Sequence, residues 1–197
     1  MHKEGDALLI QQPVYYPFRE VIEDNGRIFV NNQLHYEDGK YTIDFEDFEK
    51  KIVDNNVKVF ILCNPHNPVG RVWTKEELEK MGDICLKHNV VIMDDEIHCD
   101  FTYPGFKFTS FMTLDKKYHN SLVLYTSPSK TFNVAGLQPA NIIIKNQELR
   151  AAYRKANVAA GYSQGSIMGQ VAVKSVYTKG DEWVNELVEY ITGNMNY

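Results

Sequence analysis

Short, nearly unbroken apolar runs recur along the chain at Ala7–Ile10, Arg27–Val30, Val57–Leu62, Val90–Met93, Leu122–Tyr125 and Asn141–Ile144, and helix-like stretches separate most of them. A strand with one wet face alternates apolar and polar residues. A strand without that alternation must be covered on both sides. Apolar strands alternating with helices therefore predict an α/β fold: a mostly parallel sheet with helices on both faces, joined by right-handed crossovers. Helices are expected at Pro17–Asp24, closed by Asn25-Gly26, at Asp44–Val53 with Asp44 as N-cap, and at Lys75–His88, where Thr74 and Glu77 have the spacing of a capping box. From about Gln147 the pattern is helical to the end, with an apolar stripe over Glu182–Tyr190 that stops at Thr192-Gly193-Asn194.

At 197 residues the chain is long enough to bury a sizeable core, and its net charge of −5 argues against nucleic-acid or anionic-membrane partners. An anionic small ligand remains compatible, because helix N-termini and loop amides hold phosphates locally. Cys63, Cys85 and Cys99 make an odd count with no CxxC pair, so neither a disulfide framework nor a zinc site is expected, and a reducing cytoplasm is the simplest location. The N-terminal segment MHKEGDALLIQQ has no apolar core of signal-peptide length, and no apolar run is long enough to span a bilayer.

In open parallel sheets ligands bind beyond the carboxyl ends of the strands, and polar residues gather there in this sequence. Tyr15 follows the first strand, and its ring can stack on a planar ligand or simply pack in the core. Asn67, in a loop shaped by two Asn-Pro steps, offers an amide to a ligand oxygen or holds a turn. Asp95 is one of three consecutive acids, and a carboxylate there can pair with a pyridinium nitrogen, bind a metal or face water, while His98, three residues on, can approach the same ring or serve the structure. Ser127 and Ser129 flank Pro128 and can donate to a phosphate. Lys130, directly after them, is either a solvated loop lysine or an amine nucleophile. No GxGxxG follows any strand, which counts against a nicotinamide-binding domain.

The segments CNPHNPVGRVW (63–73), DEIHCDF (95–101) and SPSKTFNVAGLQ (127–138) resemble the class I/II aminotransferases, the fold type I enzymes of pyridoxal 5′-phosphate (PLP), and more narrowly the MalY/PatB group of cystathionine and cysteine-S-conjugate β-lyases. The resemblance runs over nearly the whole chain, with Asn67, Asp95 and Lys130 in family order at intervals of 28 and 35 residues. It implies that Lys130 is the Schiff-base lysine and moves the Cα proton. By the same resemblance Asp95 pairs with the pyridine nitrogen, Asn67 bonds the phenolic oxygen, Tyr15 stacks on the ring, and Ser127 and Ser129 serve the phosphate. His98 stands where true aminotransferases commonly have tyrosine, and Gln138 where many have a phosphate-binding arginine.

The resemblance also implies that an upstream strand with a phosphate-binding turn, and a downstream small domain with a carboxylate-binding arginine, lie outside this sequence. Residues 1–180 are then expected to be a partial PLP-binding large domain, and 181–197 the start of a helix leading to the small domain. The expected activity is carbon–sulfur β-elimination on a sulfur-containing amino acid by a homodimer. A PLP-dependent aminotransferase is the alternative, and a non-catalytic regulatory or interaction module is the reading from another class.

Overall fold

Burial on both sides of the central strands is what the apolar runs encode, and the computed structural model, which describes residues 4–162 and 164–195, places them accordingly. Six strands form one sheet in the order β2-β1-β5-β6-β7-β8. They are β1 (Ala7–Ile10), β2 (Ile28–Asn31), β5 (Val59–Cys63), β6 (Val91–Asp95), β7 (Leu122–Thr126) and β8 (Asn141–Ile144). All pairings are parallel except β7 with β8, which is antiparallel. Between β2 and β5 a short hairpin, β3 (His35–Glu37) and β4 (Lys40–Thr42), stands apart as a second sheet.

Helices cover both faces. On one side α2 (Phe45–Asp54) and α3 (Lys75–Lys87) contribute Phe48, Ile52, Leu78, Met81 and Cys85 to a core that takes Leu9, Phe60, Leu62, Ile92 and Leu122 from the strands. On the other, α1 (Pro17–Asp24) sends Ile22 against Ile10, Val59, Ile61 and Cys63. Asp44 caps α2 by accepting from the amides of Glu46 and Asp47, and the Thr74–Glu77 capping box of α3 is complete in both directions.

Three boundaries differ from the expectation. Strand β6 continues through Asp94 and Asp95, pairing Asp95 with Cys63 and Tyr125, because neighbours on both sides satisfy its backbone regardless of side-chain charge. The C-terminal helical region is three helices, α4 (Gln147–Ala159), α5 (Ile167–Lys179) and α6 (Asp181–Met195). The last one passes through Thr192-Gly193-Asn194 without stopping there. One interior glycine costs a helix only about 1 kcal/mol, too little to end it. Of the two expected segments, residues 1–3, 163, 196 and 197 lie outside the described residues. No described helix is long and apolar enough to cross a membrane.

Candidate active site

The acids Asp94 and Asp95 of β6, and Glu96 just past it, go to different places because successive side chains of an extended chain point to opposite faces. Met93 packs with the α1-side core, so Asp95 shares that face, level with Cys63. Ile92 belongs to the α2/α3-side core, and Asp94 and Glu96 follow its parity. Asp95 Oδ1 accepts the Ile97 amide at 3.1 Å. Burial raises its pKa, while that amide and the Lys130 ammonium pull the other way. His98 is half-buried, and burial together with the same ammonium lowers its pKa. Lys130 is exposed, on the turn after β7. The structure thus brings Lys130 within electrostatic reach of both Asp95 and His98.

Asn67 sits in the loop after β5. That loop is held by Trp73, whose indole donates to the Cys63 carbonyl at 3.0 Å, and by Asn64, whose amide donates to the Thr109 carbonyl at 3.1 Å. The Cys63 thiol, pushed up to about 12 by burial, donates to the Pro65 carbonyl and accepts the Asn67 amide, so it serves the loop rather than chemistry. His66 Nε2 donates to the Pro13 carbonyl at 3.0 Å, tying this loop to the turn that carries Tyr15. Burial lowers the His66 pKa to about 4, so the ring is neutral. Tyr15 is exposed and meets Phe18 edge-on at 5.7 Å. Asn67 and His98 line a common cavity of about 230 Å³ with Phe101, Tyr103 and Phe106.

The two serines behave differently from the rest. Ser127 Oγ donates to the Pro139 carbonyl at 2.5 Å and accepts the Ser129 amide at 3.0 Å, with the Ser129 hydroxyl 2.7 Å away. Their hydroxyls face each other and their own loop. By contrast, the side chains of Asn67, His98 and Lys130 and the Tyr15 hydroxyl make no hydrogen bond among the described residues. Asn67 and His98 are half-buried, and half-buried polar groups without partners are uncommon unless something else satisfies them, whereas Lys130 and Tyr15 are exposed and reach solvent.

The chain matches the family model for aminotransferase class I and II over residues 1–197. It belongs to that family. The family chain is 44% identical over 192 residues to cystathionine beta-lyase PatB of Bacillus subtilis, covering 98% of itself and 50% of that protein. It is 32% identical over 194 residues to Protein MalY of Escherichia coli, covering 98% and 49%. Among solved structures it resembles the PLP-containing cystalysin of Treponema denticola, with TM-score 0.92, 40% identity, and 95% and 48% covered. It also resembles a PLP-bound C-S lyase of Staphylococcus hominis, with TM-score 0.91, 35% identity, and 100% and 49% covered. The chain spans about half the length of the relatives it matches. Nothing among these relatives supports the non-catalytic module.

Sequence reasoning missed the buried Asp94–Glu96 pair, the aromatic wall of the cavity, and the polar contacts around Thr131. The first was visible as a run of acids without a way to sort them. The others depend on residues brought together only by folding.

Proposed function

We propose that this chain is part of a PLP-dependent enzyme that cleaves the carbon–sulfur bond of an S-substituted cysteine such as cystathionine, giving a thiol, pyruvate and ammonia with the uptake of water. One observation carries the reading: Lys130, Asn67 and His98 present side chains without protein partners beyond the carboxyl ends of the neighbouring strands β5, β6 and β7, beside a carboxylate, Asp95, whose burial raises its pKa. A protonated pyridine nitrogen is the kind of cation that offsets this burial. The residues therefore fit PLP, with Lys130 holding it, Asp95 facing the ring nitrogen, Asn67 its phenolic oxygen, His98 beside it and Tyr15 stacked upon it. Ser127 and Ser129 would turn at least one hydroxyl from the Pro139 carbonyl to meet the phosphate.

When bound, PLP supplies an electron-accepting ring for the pair left at Cα. The chain's own residues do the rest. Asp95 keeps the ring nitrogen protonated. Lys130 takes the Cα proton on its ε-nitrogen. The cavity beside Asn67 and His98, walled by Phe101, Tyr103 and Phe106, offers room for the substrate side chain. Residues 1–180 would then belong to the cofactor-binding domain and 181–197 would begin the helix to a small domain. The intact protein would act as a homodimer in a reducing cytoplasm, consistent with free Cys63, Cys85 and Cys99 and with exposed Ile167, Met168 and Val171 on α5.

The test is the intact protein with cystathionine. Pyruvate release, lost in Lys130→Ala, supports the lyase. Amino transfer to a keto acid without pyruvate would instead make it an aminotransferase.

A further inference from the structure

Lys130 has a free side chain on a backbone that is held from two directions. Its neighbour Thr131 is 1% exposed. The Thr131 hydroxyl donates to Asp100 Oδ2 at 2.7 Å, reaching the segment that follows β6. The Thr131 carbonyl accepts from Trp183 Nε1 at 3.2 Å, in the first turn of α6. The next residue, Phe132, lies so close to the α5–α6 junction that a side chain on Gly180 would run into the Phe132 ring. Within the turn itself, the amides of Phe132 and Val134 donate to the carbonyls of Pro128 and Ser129 at 2.9 and 3.1 Å.

The Asp100 contact has a particular consequence. Asp100 lies two residues after His98 and five after Asp95, on the segment whose groups face the Lys130 ammonium. One hydrogen bond therefore fixes the lysine turn relative to the two groups it works against. A lysine reaches its target over four flexible methylenes, so its aim depends on where its Cα is held. Misplacement by about 1 Å costs roughly a hundredfold in rate at such sites.

We propose that Asp100 and Trp183 are positioning residues that clamp Lys130 through Thr131, Asp100 setting its distance from Asp95 and Trp183 tying that setting to α6. This rests on the reading of Lys130 as the PLP-holding residue. Neither Asp100 nor Trp183 touches the reacting atoms. Their effect is on the lysine's placement.

The test uses the intact apoprotein with added PLP, fixed with borohydride and mapped to Lys130, together with the visible circular dichroism of the bound cofactor, which reports its orientation. Asp100→Ala, Thr131→Val and Trp183→Phe should each slow fixation on Lys130 by roughly tenfold or more and diminish the dichroic band. Thr131→Ser and Asp100→Asn, which keep a hydroxyl donor and an oxygen acceptor, should restore both. Wild-type fixation rates and an unchanged band in folded Asp100→Ala and Trp183→Phe would overturn the clamp. Trp183 is half-exposed, so its replacement by Phe removes one N–H donor without opening the core, and it carries the test if Thr131→Val does not fold. Label that persists in Lys130→Ala would instead refute the functional reading, a result distinct from failure of the clamp.

Discussion

Replacing Asp94 with asparagine should remove one proton's worth of pH dependence from the protein's stability. Asp94 is 0% exposed and neither of its oxygens has a protein donor among the described residues. Its neighbour on the same face, Glu96, is also buried and accepts the Phe111 amide at 2.9 Å. Two ionised carboxylates cannot bond each other, but one carrying a proton can donate to the other. Burial, reinforced by the charges of Glu96 and Asp95, raises the Asp94 pKa well above its ordinary value of 3.8. Burial raises Glu96 too, but Asp94 and the Phe111 amide pull it back, so Asp94 is the member that holds the shared proton the more firmly. Cys63 also feels Asp94, but its thiol stays protonated in the same range.

The sign follows from proton counts. Above about pH 5 the unfolded chain has released the Asp94 proton, while the folded chain, whose value is raised by burial, holds it to higher pH. Stability from this group is thus fully present below the unfolded value and falls as pH rises toward the folded one. The slope is about 1.4 kcal/mol per pH unit for one proton over whatever part of the interval from about pH 5 to about pH 7 lies below the folded value. Asparagine donates to Glu96 from its amide at every pH, so the variant lacks this slope and gains relative to wild type as pH rises. The assay is urea unfolding of wild type and Asp94→Asn at fixed protein concentration, every half unit across that range. Parallel curves, or a wild type that gains on the variant with rising pH, would refute the shared proton.

Other outcomes follow from single contacts. Gly82→Ala places a Cβ 2.8 Å from Tyr118 Cε1 and 3.0 Å from Phe111 Cζ, two buried rings, and should cost about 1–3 kcal/mol by overpacking in the same unfolding assay. Thr74→Ala deletes the side-chain half of the α3 capping box and should cost about 1 kcal/mol, with an unchanged midpoint counting against it. Asp95→Asn should weaken PLP retention on dialysis by roughly tenfold to a hundredfold, the worth of a charge-assisted hydrogen bond at about 1.5–3 kcal/mol, and undiminished retention would separate Asp95 from the ring nitrogen.

The sheet was readable because its strands are buried on both faces, which leaves a signature that needs no partner to interpret. The β3–β4 hairpin left a fainter one. Its strands are three residues each and mostly exposed, so no apolar pattern marks them. The available signal was Asp38-Gly39, which turns with φ of 48° and 78°, the backbone a two-residue hairpin requires. The order of Asn67, Asp95 and Lys130 was likewise legible, since each ends or follows a strand. The hold on Lys130 was not: Thr131 meets Asp100 and Trp183 across 31 and 52 residues, and neither interval carries a period.

The run Asp94-Asp95-Glu96 shows why composition at a strand end underdetermines chemistry. Written in sequence it is one patch of negative charge, equally suited to a metal, to solvent or to a cationic ligand. Strand alternation divides it. The outer two acids fall on the α2/α3 side, where a shared proton leaves one charge and a hydrogen bond to Phe111. The middle one falls on the α1 side with a single amide donor and the Lys130 ammonium in reach. If Asp94 were ionised, its charge would raise the affinity of Asp95 for a proton, and a protonated Asp95 cannot keep a ring nitrogen charged. A neutral Asp94 leaves Asp95 free to stay a carboxylate. The pair behind the sheet thus helps fix the charge state of the acid in front of it, and the same Asp94→Asn variant, which keeps that site neutral at all pH, should retain PLP as well as wild type does.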